Sequence, residues 1–323
     1  MLHQAARSKE HTMYHGIINV YKEPGYTSHD VVARLRGILK QKKIGHTGTL
    51  DPAAEGVLPV CLGKGTKLCD MLTDKTKTYQ AVMLLGVSTD TQDTTGTVLS
   101  ERSTEGVDEA AAAEAAESFI GLYHQIPPMY SALKVNGKKL YELAREGKEV
   151  ERQARPVEIF SLSIDKMELP RVTMTVHCSK GTYIRTLCHD IGEKLGCGAC
   201  MEHLLRTQVD RFLVKDSLTL SQMEELVKEG TVQERIVPVD QMFSHFPAFY
   251  SEDETLDRLL SNGNFFLKSQ ARGRWEPDAG QDTPEQDGSM CRVYDGSGRF
   301  IGVYEYRASE KKWKPRKIFL GGD

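Results

Sequence analysis

Apolar and polar residues alternate along this chain in a way that predicts strands and helices without a regular βαβ rhythm. Residues 16–20 read as a short strand. Residues 28–39 carry Val31, Val32, Leu35, Ile38 and Leu39 at helical spacing, with Ser28 as the expected cap. Residues 56–62 and 78–85 read as buried strands. An alanine-rich helix is expected over 108–120, opened by Asp108 and closed at Gly121. Residues 155–164 and 172–178 alternate as half-buried strands do, and 183–195 read as a helix stopped by Gly196. Ser221-Gln222-Met223-Glu224 has the form of a capping box opening a further helix. Such an order points to an α+β fold with a mixed, largely antiparallel sheet.

The composition changes near residues 246–251. Beyond it, Cys291-Arg292-Val293-Tyr294 and Arg299 to Tyr304 flank the turn Asp295-Gly296-Ser297-Gly298, the pattern of a hairpin. Residues 277–288 are acidic and turn-rich, as a mobile loop would be. The expected division is a disordered extension at 1–12, a large domain at 13–246 and a small β-rich domain at 251–323.

With 323 residues, 39% hydrophobic and 27% charged, the chain has enough apolar material for a substantial core. Ala81-Val82-Met83-Leu84-Leu85 is among its longest apolar runs, far short of a membrane span, and 1–12 has no apolar leader core. Membrane association is therefore not expected. Seven scattered cysteines favour a reducing compartment such as the cytoplasm. Cys197-Gly198-Ala199-Cys200 and His203, with Cys188 or His189, could supply zinc ligands. The usual pattern has two well-separated pairs, so no metal is expected. The net charge of −3 does not announce a nucleic acid, but its distribution is uneven. Arg34, Arg36, Lys40, Lys42 and Lys43 are followed by Lys64, Lys67, Lys75 and Lys77, while acids concentrate at 101–117 and 276–287. A basic face for phosphates is one reading of this; a solvated helix face is the other.

The candidate chemistry centres on Gly45-His46-Thr47-Gly48-Thr49-Leu50-Asp51-Pro52, where one carboxylate sits in an otherwise uncharged loop. Gly45 and Gly48 permit positive φ, and Pro52 disfavours helix at Asp51. Together with Gly56-Val57-Leu58-Pro59-Val60, Gly63-Lys64-Gly65-Thr66-Lys67, Lys77-Thr78-Tyr79, 85–91, 125–134 and Ser179-Lys180-Gly181-Thr182-Tyr183-Ile184-Arg185, this loop resembles the TruB family of RNA pseudouridine synthases. The blocks run in that family's order over roughly residues 16–240.

The resemblance implies the pseudouridine-synthase fold with a central RNA cleft and a C-terminal PUA-like domain, whose basic edge would be Lys311, Lys312, Lys314, Arg316 and Lys317. It implies conversion of uridine 55 in the tRNA T loop, without cofactor, metal or guide RNA, by a monomer. Asp51 would be the catalytic carboxylate, Arg185 its partner and Tyr79 the ring against the target base. His46 would fill the space left by the flipped nucleotide, and Lys22, Tyr183, Leu204 and Lys67 would bind substrate. Two positions depart from the pattern. Lys22-Glu23-Pro24-Gly25 shifts a proline by one, and Leu204-Leu205-Arg206 replaces a Leu-Arg-Arg. The alternatives are an RNA-binding or RNA-folding module without catalysis, a guide-dependent relative, and a glycoside hydrolase using Asp51 and Glu55, which would need two positioned carboxylates.

Overall fold

The computed structural model describes residues 13–276 and 286–321. The extension expected to be disordered, 1–12, and most of the loop expected at 277–288 lie outside the described residues.

In chain order, the first half runs β1 (Gly16–Lys22), α1 (Ser28–Ile38), β2 (Ile44–His46), β3 (Glu55–Leu62), α2 (Cys69–Thr73) and β4 (Lys77–Leu85). It continues through the hairpin β5–β6 (Val87–Thr89, Val98–Glu101), α3 (Glu109–Glu117), β7 (Gly121–Gln125), the hairpin β8–β9 (Lys134–Val135, Lys138–Lys139) and α4 (Leu140–Arg145). The second half holds β10 (Arg155–Glu168), β11 (Arg171–Cys178), α5 (Ile184–Lys194), β12 (Ala199–Val209), β13 (Phe212–Leu213), α6 (Leu220–Glu229) and β14 (Ile236–Val237). After these come β15 (Ala248–Ser251), α7 (Glu254–Ser261), β16 (Phe266–Leu267), β17 (Gly273–Glu276), β18 (Met290–Tyr294), β19 (Phe300–Arg307) and β20 (Lys312–Ile318).

Ten strands form the large sheet, in the order β14-β1-β3-β12-β4-β11-β10-β7, with β2 added on β3 and β13 on β12. Every pairing is antiparallel except β3 with β12, where Glu55 faces Leu205 and Gly56 faces Arg206. This parallel seam lies at the centre and brings the segment after Asp51 against β12. Gly56 makes it possible. Its φ is +105°, and a Cβ there would lie 2.3 Å from the Arg206 carbonyl oxygen. The last six strands form a second sheet, β16-β20-β19-β18-β15-β17.

The sheet's two halves carry separate cores. Tyr79, Ala81, Met83 and Leu85 of β4, Met174 and Val176 of β11, and Leu187 and Ile191 of α5 pack as one cluster. Ile18, Val20, Leu58, Val60 and Leu62 pack under α1 and α6 as another. A third cluster joins the reverse face of β3, through Val57 and Cys61, to Val303 of β19 and to Phe319, just after β20. Strand β3 is therefore buried on both faces, as its continuous apolar run requires. Strand β4, also expected to be buried throughout, instead exposes Gln80 and alternates, because only one of its faces is covered.

Two caps differ from expectation by one and two residues. Helix α1 is capped by Thr27, whose hydroxyl accepts from the Asp30 amide in a reciprocal capping box. Ser28 is buried, and its Oγ accepts from the Leu50 amide at 3.0 Å. A side chain that reads locally as a cap thus holds the loop next to Asp51. Helix α6 is capped by Thr219 with Gln222 rather than by Ser221.

Candidate active site

The Asp51 loop is clamped before any substrate arrives. His46 pairs with Val60 across β2–β3, and Gly48 has φ +145°. Leu50 is held by Ser28, the Ala54 amide donates to the Asp51 carbonyl at 3.1 Å, and the Gly25 amide donates to the Pro52 carbonyl at 2.9 Å. Lys22, fully buried, reaches the same segment. Its ammonium donates to the carbonyls of Glu23, Pro52 and Ala54. The shifted proline therefore leaves Lys22 at the loop, where it acts on backbone oxygens. Burial lowers its pKa to about 8, against the pull of the Asp51 charge.

Arg185, the second residue of α5, meets Asp51 side-on: Nε to Oδ2 at 2.9 Å and Nη2 to Oδ1 at 3.3 Å. The guanidinium is 5% exposed and the carboxylate 39%. Its remaining donors go to the Thr91 carbonyl at 3.0 Å and the Tyr130 carbonyl at 2.9 Å. Asp93 lies on its other side, Oδ2 to Nη1 at 3.7 Å. Asp93 is itself pinned through Oδ1 by the hydroxyls of Thr91 and Thr95. Sequence reasoning missed Asp93; the only signal was its place two residues after the Thr89-Asp90-Thr91 block. Burial pushes the Asp51 carboxyl up, opposed chiefly by Arg185, while Asp93 adds to the upward push.

Tyr79 and Leu204 belong to the same apolar cluster as Leu50 and Ala54, on either side of Asp51. Leu204 lies across from Ala81, and Arg206 across from Tyr79. Tyr79 is 8% exposed; burial raises its phenol and the nearby Asp51 charge raises it further. Tyr183 precedes α5 and is fixed by a two-way amide bridge to Gln125, at 2.8 and 2.9 Å. Its half-buried phenol feels both Arg185 and Asp51. The His46 ring stands edge-on to His29 with centroids 5.0 Å apart. Burial first, and His29 second, lower its pKa and keep it neutral near pH 7. Asp51, Arg185, Tyr79, Tyr183, Lys22 and Leu204 thus converge, with His46 at the start of the same loop.

Lys67 does not join them. Its ammonium donates to the Ile318 carbonyl at 2.8 Å and the Leu320 carbonyl at 3.2 Å, tying the large sheet to the end of β20. Glu55 is also engaged elsewhere, accepting from Tyr21 at 2.7 Å and contacting His203 at 2.8 Å. It is not a second free carboxylate beside Asp51. Cys188, Cys197 and Cys200 are buried, whereas His203 is exposed, and no group of three or more potential metal ligands assembles among the described residues.

The fold and the matches to known families place the chain among the pseudouridine synthases. Residues 36–184 match the model of the TruB family pseudouridylate synthase N-terminal domain, and 185–244 match the tRNA pseudouridylate synthase B C-terminal domain. A protein of Lachnoclostridium phytofermentans named tRNA pseudouridine synthase B is 50% identical over 94% of this chain and 99% of its own. One of the same name from Bacillus subtilis is 41% identical over 95% and 98%. A solved Cbf5-Nop10-Gar1 complex holds a chain of like fold, with TM-score 0.68 and 25% identity, covering 94% of this chain and 85% of that one. The chain belongs to the TruB family of pseudouridine synthases.

Proposed function

We propose that this protein isomerises uridine 55 in the T loop of tRNA to pseudouridine, acting as a monomer in the cytoplasm without a guide RNA. The observation that carries the reading is the side-on Asp51–Arg185 pair beside Tyr79. The reaction breaks the C1′–N1 bond and forms a C1′–C5 bond, with loss of the C5 proton and gain of one at N1. Nothing is oxidised, so no electron acceptor is needed.

Asp51 acts as the anion, whether it attacks a carbon or removes a sugar proton. Arg185 keeps it ionised and aimed. Tyr79 and Leu204 hold the freed uracil between them, and the Tyr79 oxygen faces the C5 proton. Tyr183 closes the pocket beside Arg185. His46, being neutral and flat, suits stacking into the gap left by the flipped nucleotide. Lys22 serves by fixing the Asp51 loop, and Lys67 by tying the sheets together rather than by holding RNA. On this reading residues 13–246 form the catalytic unit and 251–323 a PUA-like unit whose basic β20 edge tracks the RNA backbone.

The names of the bacterial relatives support tRNA as substrate. The test is incubation of the purified chain with an unmodified tRNA transcript, followed by mapping of pseudouridine by mass spectrometry. Modification at uridine 55 alone is expected. No modification without an added guide RNA or partner protein, or modification elsewhere, would overturn the assignment.

A further inference from the structure

Helix α5 carries Arg185 in its first turn, yet no side chain caps its start. Tyr183 occupies the cap position, where a phenol cannot fold back onto the first amides as a Ser or Asp side chain does. The start of the helix is held from outside instead. Gln125, the last residue of β7, is 1% exposed. Its Nε2 donates to the Tyr183 carbonyl at 2.9 Å, and its Oε1 accepts from the Tyr183 amide at 2.8 Å. The two bonds fix which end of the carboxamide is which, and they grip the Tyr183 backbone as a neighbouring strand would. Strand β7 lies at the edge of the sheet, and β10 places Gln125 by pairing it with Arg155.

The same stretch of chain meets α5 twice more. The Tyr123 hydroxyl donates to Asp190. Beyond Gln125 the chain passes through Pro127 and Pro128 to bring the Tyr130 carbonyl 2.9 Å from Arg185 Nη2. Of these ties, the one from Gln125 alone grips the backbone at the helix start. The rest of α5 is held by apolar contacts through Ile184, Leu187 and Ile191. Such contacts are non-directional, so they fix the rotation of a helix about its own axis only loosely. A rotation of about 10° moves a group about 6 Å from the axis by about 1 Å. A misplacement of about 1 Å is enough to cost about 100-fold in rate.

We propose that Gln125 is a positioning residue for the Asp51–Arg185 pair: by clamping the Tyr183 backbone, its carboxamide sets the rotation of α5 at which Tyr183 closes the pocket and Arg185 meets Asp51 side-on. What the pair then does rests on the function proposed above. Without the clamp the first turn of α5 shifts, and the guanidinium leaves the carboxylate. Asp51 faces Arg185 from α5, Asp93 from the β5–β6 loop and Lys22 from β1. Gln125 aims only the first of these. Losing that cation favours the neutral acid, so the Asp51 midpoint rises.

The test titrates Asp51 in the free protein, by NMR of 13Cγ-labelled aspartate with the signal assigned by its loss in Asp51→Asn. Gln125→Leu keeps much of the volume and removes both hydrogen bonds. It should move the Asp51 midpoint up by at least half a pH unit. It should also lower kcat on a T-stem-loop at pH 7.5 at least tenfold, with KM within threefold. A group that only stabilises the fold would lower the melting temperature and leave the midpoint of the folded protein in place. A folded Gln125→Leu whose Asp51 midpoint moves up by less than half a unit therefore overturns the proposal. If Gln125→Leu does not fold, Gln125→Asn, which keeps the amide but stops one methylene short of Tyr183, decides by the same criterion. The titration needs no RNA, so its result stands apart from whether uridine 55 is the target.

Discussion

Replacing Arg185 by Met removes the guanidinium that faces Asp51 at 2.9 and 3.3 Å while keeping much of the side chain's bulk. Two unit charges about 4 Å apart attract by about 4 kcal/mol at an effective dielectric constant of 20. Asp51 is 39% exposed, so solvent screens part of this and about 2 kcal/mol is the appropriate size. At 1.36 kcal/mol per pH unit, the Asp51 carboxyl should rise by about 1.5 units beyond the increase that burial already causes. The sign follows from the charge: losing a cation favours the neutral acid. Activity that needs the carboxylate is lost as pH falls through its pKa, so the acid limb of the rate profile should move up by about 1.5 units. The carbonyls of Thr91 and Tyr130 also lose their donor, and Asp93 its cation, so a lower melting temperature is expected. The assay is single-turnover release of tritium from a 5-tritiated uridine T-stem-loop between pH 5 and 9, with melting measured alongside. A folded Arg185→Met protein whose acid limb stays in place, and whose rate stays within threefold of wild type, would refute the electrostatic argument.

Two further substitutions probe the scaffold. Lys67→Met removes two hydrogen bonds from an ammonium to the β20 end, worth about 1–3 kcal/mol, and should lower the melting temperature by about 2–6 °C with KM for tRNA unchanged; a raised KM at unchanged melting temperature would restore Lys67 to RNA binding. Gly56→Ala forces a Cβ to within 2.3 Å of the Arg206 carbonyl oxygen at φ +105°, so it should cost about 3 kcal/mol or more and disturb the β3–β12 seam. A Gly56→Ala protein that melts like wild type would show that the seam yields more easily than its geometry implies.

The Asp51 loop was legible because its constraint is local: glycines, a proline and one acid stand together in eight residues. Arg185 and Tyr79 were legible only through the family resemblance, since 134 positions separate Arg185 from Asp51 and no periodicity links them. Asp93, and the place of Arg206 opposite Tyr79, escaped for a topological reason. Their placement depends on β12 lying between β3 and β4, and one parallel seam in an otherwise antiparallel sheet leaves no mark in the hydrophobic pattern. The departure at Leu204-Leu205-Arg206 now has a simple physical account. Leu205 lies opposite Gln80 on the sheet's other face, away from Tyr79, so the arginine lost there was not the one beside the phenol. Lys67 and Ser28 make contacts that their local patterns did not announce, for a related reason. Each fits a common local role, a cation for phosphate and a helix cap, but tertiary contacts use them as ties between segments distant in sequence.

The central claim is that the Asp51 anion does the chemistry while the surrounding pocket binds RNA. Asp51→Asn separates the two, and the most direct measurement follows pseudouridine formation and tRNA binding side by side for this variant and the wild type. The account predicts no detectable pseudouridine from Asp51→Asn under conditions where wild type converts the substrate fully, with tRNA affinity kept within about fivefold, or about 1 kcal/mol. Turnover by Asp51→Asn at a tenth of the wild-type rate or more would contradict it.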